Sequence, residues 1–217
     1  LPKALSRGYD EATVTRIWQV LEAFASFGFC LAHAAAFALP TYQSAWLKTH
    51  HPAAFLAGVL THDPGMYPKR LILDDARNLG IAVLPLDVNA SQDTYRVERV
   101  DPDGAPHPGP DLPDGRGYGI RLPLTEVKGI AEAEVARIIA ARPYATLADF
   151  WHRAAPSRPV VERLVLAGAF DSLYGLGTDL PIRRRDRLTR RDLLLQVAEL
   201  DRWSRSVRRP TASARSG

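Results

Sequence analysis

The sequence predicts a mainly α fold with a small β insertion, in which a helical segment is followed by tandem helical hairpins. Apolar residues recur at three- and four-residue steps before residue 80 and again after residue 124, as they do on the buried face of a helix. Between these regions, short extended segments alternate with turns rich in Pro, Gly and Asp. With 217 residues, of which 46% are hydrophobic, the chain is long enough to bury a core.

The first helical region contains several breaks. Residues 10–26 have helical spacing, and the glycine of the following SFGF interrupts it. An alanine-rich segment then resumes a helix, which Pro40 should end or kink unless it opens a new one. Pro52 suits the first turn of the next helix, and Gly80 suits the end of an amphipathic helix.

Several aromatic and histidine side chains of this region could bind a base or a metal ion. The helical spacing of Phe37, Tyr42 and Trp46 favours core packing over a surface on which bases stack. His50 and His51 are adjacent, so they face different ways on a helix and are better explained as polar residues at a helix end.

The β insertion consists of the extended segments IAVLPLDVN, TYRVERV and GYGIRLPL. Residues 101–117 contain too much Pro, Gly and Asp to form a packed element. We therefore expect TYRVERV and GYGIRLPL to pair across this loop.

The segment LTEVKGIAEAEVARIIAAR predicts two short helical pieces joined by Lys128, Gly129, Ile130 and Ala131. This pattern is close to a helix-hairpin-helix, in which a glycine turn lets backbone amides approach a phosphate and a lysine adds charge. Such contacts position DNA without reading its sequence. The usual motif ends in glycine, and if that position needs a positive φ, Ala131 costs about 1 kcal/mol. The alternative is an ordinary core hairpin with a solvated lysine.

Residues 158–173 look like a second, degenerate copy of the hairpin, with an Ala-Gly-Ala turn. The alternative interpretation is a helix capped by Gly168, with Phe170 packing back on it.

Charge and cysteine content narrow the class of protein. Residues 180–217 hold 11 arginines against 4 acidic residues, whereas residues 1–179 hold 17 basic against 20 acidic residues. The basic segment can bind phosphate backbones or can be a solvated tail.

The single cysteine, Cys30, excludes a disulfide within the chain and a cysteine-rich zinc site. No apolar run approaches the roughly 20 residues of a membrane span, so we expect a cytoplasmic protein and no membrane partner. The chain starts at Leu1 and its only methionine is Met66, which suggests a piece of a longer protein.

Five motifs in order resemble bacterial C-family DNA polymerases, the DNA polymerase III alpha subunit family. They are FASFGFxxxHAAAFALxxYQSAWLKxHHPAAFLAGVL, DDARNLGI, VLPLDVNAS, YGIRLPLTEVKGI and VLAGAFDSL. The tail looks most like the error-prone branch. The resemblance implies distal fingers over residues 1–80, a small β insertion over 81–123, a tandem helix-hairpin-helix DNA-binding region over 124–175, and a basic helix and tail over 176–217.

The resemblance also implies a function. The parent enzyme would be a DNA-directed DNA polymerase of the error-prone, DNA-repair type. Its partners would be primer-template DNA, the incoming deoxynucleotide and the remaining polymerase domains. Its Mg²⁺ would be bound by palm aspartates outside this chain, so the fragment alone should bind no metal and be inactive. The alternative is a stand-alone, non-enzymatic helix-hairpin-helix DNA-binding module.

Two acidic pairs in the chain do not suit catalytic metal binding. Asp101 and Asp103 lie in a flexible turn sequence, and Asp74 and Asp75 are neighbours on a helix and project in different directions.

The family resemblance gives His33 and Phe27 a role. His33 matches the fingers histidine that faces the incoming nucleotide, and Phe27 stands where the family has a tyrosine. An imidazole can donate a hydrogen bond to a triphosphate oxygen. Leu31 and Ala32 depart from the polar residue and serine that commonly precede this histidine. From the residues alone, the alternative is a buried core histidine.

Overall fold

The computed structural model describes residues 2–27, 31–176 and 188–208. It confirms the predicted class, since the chain is mostly helical with one small sheet. The chain divides into two compact units, Leu1–Leu47 and Lys48–Gly217. Among the described residues, no helix combines the length and the apolar character that a membrane span needs.

The first unit is helical. It contains α1 (Pro2–Leu5), α2 (Glu11–Phe27) and most of α3 (Leu31–His50). The prediction that Pro40 ends the helix or opens a new one is wrong, because α3 is continuous through it, while a kink stays a prediction. Proline removes one backbone donor, but the alanines and leucine that precede it have high helix propensity and support the turn before it.

The aromatic side chains of α3 are not core residues of this unit. Phe37, Tyr42 and Trp46 are 57%, 67% and 45% exposed, so the predicted core packing is wrong for this chain. Their spacing does give α3 an apolar surface, but the helices of the first unit do not bury it.

The second unit begins with two helices, α4 (Pro52–His62) and α5 (Lys69–Asn78). Pro52 occupies the first turn of α4 as predicted. Gly80 ends α5 as predicted, with φ +76°. Its amide donates to the Arg77 carbonyl at 2.9 Å, and the next amide donates to the Ala76 carbonyl at 3.0 Å, which is the Schellman pattern.

A three-stranded sheet follows, with β1 (Ala82–Leu84), β2 (Arg96–Arg99) and β3 (Tyr118–Arg121) in the order β1-β3-β2. The predicted pairing of β2 with β3 is confirmed and is antiparallel, whereas β1 pairs with β3 in parallel. Ile120 at the centre of the sheet is fully buried. It packs in one core cluster with Ala53, Leu56, Ala57, Leu60, Ala76, Leu79, Ile81 and Tyr95.

The rest of the described chain is helical. A single 3₁₀ turn at Leu124–Glu126 precedes five helices in the described residues: α6 (Glu132–Ala140), α7 (Leu147–Ala154), α8 (Arg158–Leu166), α9 (Asp171–Tyr174) and α10 (Arg190–Arg208). Their core cluster includes Leu124, Val135, Ile138, Leu147, Phe150, Val160, Val161, Leu164, Phe170, Leu193 and Val197.

Helix α7 was not predicted from the sequence. Its N-cap is Thr146, whose side chain accepts a hydrogen bond from the Asp149 amide at 3.0 Å. Asp149 in turn accepts a bond from the Ala145 amide at 3.1 Å. This reciprocal capping by Thr and Asp three residues apart is the sequence signal that could have located the helix.

Helix α10 is the described part of the predicted arginine-rich segment. Its side chains Leu193 and Val197 are buried in the core cluster of the hairpins. Trp151 donates from Nε1 to Ser204 Oγ at 3.0 Å, and Arg158 pairs with Asp201 at 3.1 Å. The arginines of residues 181–187 and the end of the tail, residues 209–217, lie outside the described residues.

Ala155 follows α7 in a left-handed conformation, with φ 45° and ψ 53°. This conformation costs an L-residue about 1 kcal/mol, and glycine avoids the cost. We expect Ala155→Gly to raise the free energy of unfolding by about 0.5 to 1 kcal/mol in urea denaturation. The matched control is Ala154→Gly. Ala154 is fully buried at the end of the helix, so this change should destabilise the protein. A loss of stability in Ala155→Gly would contradict the assignment.

Candidate nucleic-acid interface

The predicted hairpin at Lys128–Ala131 forms a tight turn that leads into α6. The Ile130 amide donates to the Val127 carbonyl at 3.1 Å, and Gly129 has φ +78°. Ala131 is the N-cap of α6 with φ −90° and ψ 149°. The expected cost of alanine at this position is therefore absent, because the backbone there is extended and only Gly129 has a positive φ.

The turn presents two kinds of hydrogen-bond donor to solvent. Lys128 and Gly129 are exposed, while Ile130 is half-buried and packs against the hairpin core. Among the described residues, the Lys128 ammonium has no ion pair or hydrogen bond. The amides of Lys128 and Gly129 likewise have no acceptor in the described part of the chain. Open amides and a mobile cation at one exposed turn suit an anion of phosphate type.

A carboxylate of α6 binds the amide of the residue that precedes the helix. Glu134 accepts a bond from the Ala131 amide at 3.3 Å and another from the Ser157 amide at 2.7 Å. Burial is the largest single influence and opposes the charged form. The hydrogen bonds from the Ser157 and Ala131 amides together outweigh it and lower the pKa of Glu134. This carboxylate occupies the Ala131 amide, whereas the amides of Lys128 and Gly129 have no acceptor in the described residues.

Arg163 of α8 lies directly over the turn. Its Nη1 donates to the Lys128 carbonyl. A Cβ atom on Gly129 would lie 2.8 Å from this Nη1. The positive φ favours glycine at residue 129, and a Cβ there would displace the guanidinium of Arg163.

In the second glycine turn, after α8, the amides are already bonded within the chain. Gly168 has φ +84° and its amide donates to the Val165 carbonyl at 3.1 Å. The Ala169 amide donates to the Leu164 carbonyl at 2.9 Å, which completes a Schellman motif. Gly168, Ala169 and Phe170 are all buried. The capped-helix interpretation of this segment is confirmed, and no open amide remains at its glycine.

An arginine also covers the second turn, but it is neutralised. Arg190 donates from Nη1 to the Leu166 carbonyl at 3.1 Å and from Nε to Asp171 at 3.0 Å, and a second bond to the same carboxylate completes the pair. The hydrogen bonds that Arg190 donates to Asp171 raise the pKa of Arg190. The positive charge of Arg190 is therefore neutralised by the carboxylate of Asp171.

The nucleotide-facing candidates lie in the first unit. His33 is exposed, and its ring lies 4.4 Å from that of Phe37, centroid to centroid. An exposed ring does not fit the alternative of a buried core histidine. Phe27 is the last residue of α2, and its side chain lies outside the part of the chain that the structure describes.

The acidic pairs are engaged by neighbours within the chain. Asp74 pairs with Arg77 at 2.5 Å, and Asp75 pairs with Lys48 at 2.7 Å. Asp101 accepts a hydrogen bond from its own turn, from the amide two residues on, at 2.9 Å. In the described residues, no three His, Cys, Asp or Glu side chains converge as a metal site would require.

Comparison with known proteins places this geometry in a family. The family model described as helix-hairpin-helix motif matches residues 80–178. An error-prone DNA polymerase of Symbiobacterium thermophilum is 37% identical over 91% of this chain. Error-prone DNA polymerases of an Azoarcus species and of Burkholderia mallei are 40% and 38% identical over 78% and 85% of the chain. The chain is homologous to a segment of the error-prone C-family DNA polymerases. It covers 18% of the length of the first of these relatives and 16% of the other two.

This family assignment confirms the resemblance that the five motifs carry. The helix-hairpin-helix match begins at residue 80, so it includes the sheet as well as the hairpins of the polymerase segment. The roles of His33, Phe27 and the residues Lys128–Ala131, and the division of the chain at residues 80, 123 and 175, remain predictions.

The contact between Arg163 and the turn can be tested by adding one methyl group. Gly129→Ala should lower the free energy of unfolding through its φ of +78° and by displacing the guanidinium. Gly104→Ala is the matched control, because Gly104 has φ +81° with open space around it. We expect the control to cost about 1 kcal/mol and Gly129→Ala about 1 kcal/mol more, the worth of one hydrogen bond. Equal losses in urea denaturation would show that Arg163 does not hold the turn.

Proposed function

We propose that this chain is the part of an error-prone DNA polymerase that holds duplex DNA by its sugar-phosphate backbone. The observation that carries the proposal is the exposed turn at Lys128–Gly129, with two open amides and an unpaired lysine. The helix-hairpin-helix match over residues 80–178 and the names of the relatives support it. Contacts of this kind bind any DNA sequence, as a polymerase requires.

The chemistry of nucleotide addition belongs, in this proposal, to residues outside the chain. Two divalent ions need carboxylates free to hold them. Asp74 and Asp75 are each paired with a cation, and Asp101 and Asp103 form a hydrogen-bonded turn, so none of these offers a prepared site. The Mg²⁺ of the complete polymerase would be bound by palm aspartates, and the isolated chain would be inactive.

The lysine of the turn provides the first test. In fluorescence anisotropy with a primer-template duplex, Lys128→Glu should weaken binding about tenfold or more at about 0.1 M salt. It should also reduce the slope of log affinity against log salt by about one to two units, because a phosphate contact is lost and a repulsion is added.

The matched control is Lys3→Glu, which reverses another exposed lysine in the first unit. It should leave the salt slope nearly unchanged, since it lies away from the turn in sequence and in another unit. If Lys128→Glu and Lys3→Glu change binding equally, or if the unaltered chain does not bind the duplex, the proposal is wrong.

We also propose that His33 contacts the triphosphate of the incoming nucleotide. Its exposed ring and its match to the family histidine support this role. In a polymerase that carries this segment, His33→Ala should raise KM for the deoxynucleotide about tenfold while leaving duplex affinity unchanged, because a hydrogen bond to a charged group is lost. His62→Ala, at another exposed histidine, serves as the control. An unchanged KM in His33→Ala would remove His33 from the site.

A further inference from the structure

We infer that Arg163 is a second phosphate-binding residue of the Gly129 turn, and that the Gly168 turn binds no phosphate. This inference rests on the proposed function, because it assigns further residues to the same DNA contact. It would make the interface a composite of both hairpins, with the turn supplied by the first and a cation supplied by the second.

The hydrogen bonds of Arg163 support this assignment. One guanidinium nitrogen, Nη1, is used by the Lys128 carbonyl. In the described residues, Nε and Nη2 have no acceptor, and no carboxylate pairs with the side chain. Arg163 is exposed, so these donors and the full positive charge face solvent beside the open amides of Lys128 and Gly129.

The bond to the Lys128 carbonyl also fixes where the guanidinium lies. An arginine held by one nitrogen loses less conformational freedom when it binds an anion with the others, because part of its ordering has already occurred on folding. The planar fork suits two oxygens of one phosphate, a geometry that the lysine ammonium does not offer.

The arginine over the second turn has the opposite character. Arg190 also donates to a carbonyl near a glycine of positive φ, that of Leu166. Its other two nitrogens, Nε and Nη2, donate to Asp171. The amides of Gly168 and Ala169 are both bonded within the turn, and both residues are buried. The two hairpins therefore share a backbone pattern, yet only the first combines open donors with an uncompensated cation.

The experiment measures the salt dependence of duplex binding by the intact 217-residue chain with Arg163→Gln, Arg163→Lys and Arg190→Gln, beside Lys128→Glu. Arg163→Gln should weaken binding about five- to tenfold at about 0.1 M salt and lower the salt slope by about one unit, as the loss of one phosphate contact requires. Arg163→Lys should keep the slope, since it keeps the charge. Arg190→Gln is the matched control and should leave the slope unchanged. Thermal unfolding of every variant shows that folded protein is compared.

Each other result overturns the inference. If Arg163→Gln leaves the slope unchanged while Lys128→Glu lowers it, the phosphate site stands and Arg163 only positions the turn. If Arg163→Gln and Arg163→Lys weaken binding equally without changing the slope, the arginine acts through structure alone. A lower slope in Arg190→Gln would assign a phosphate to the second turn. If Lys128→Glu has no effect or the chain does not bind, the proposed function fails and the inference fails with it.

Discussion

The segment Leu86–Ser91 ties the sheet to the hairpins, and the position of the candidate interface depends on it. The Val88 amide donates to the Ala169 carbonyl at 2.9 Å. The Asn89 side chain bonds the backbone of Tyr144 in both directions, at 2.9 Å and 2.8 Å. Val88 and Ser91 are fully buried, so any backbone group left without a partner here would cost about 1 to 3 kcal/mol. These bonds join residues that are 55 and 81 positions apart in the chain.

The same segment lies within the helix-hairpin-helix match, which begins at residue 80. Asp87 closes its own turn by accepting bonds from the amides of Asn89 and Ala90, and its second oxygen accepts a bond from Ser172. Arg142 donates to the Val88 and Ser91 carbonyls across the same contact. The segment that follows β1 is therefore bonded to the hairpin region at Arg142, Tyr144, Ala169 and Ser172.

Sequence reasoning located the elements that local chemistry determines. The glycine cap after α5, the pairing of β2 with β3 and the glycine turn at residue 129 depend on residues close together in the chain. It was wrong that Pro40 ends the helix or opens a new one, because the helix propensity of the preceding alanines and leucine outweighs the lost hydrogen bond. The cost that it considered for Ala131 depends on one dihedral angle, which the residue type does not determine. It also missed Arg163, which reaches the turn from 35 positions further along.

The environment of each glycine turn, rather than the turn itself, separates a binding element from a structural one. Glu134 binds the Ala131 amide, so the donors that we propose for a phosphate are the turn amides, Lys128 and Arg163. One phosphate contact is worth about 1 kcal/mol at about 0.1 M salt, whereas even a 10⁻⁴ M complex needs about 5 kcal/mol. A single turn is therefore too weak to hold a duplex alone. The remaining binding energy must come from other cations of the chain, such as those of the arginine-rich segment after residue 180. Linking several weak contacts in one protein raises the total affinity and leaves each contact easy to release. A polymerase that must move along DNA needs contacts of this kind.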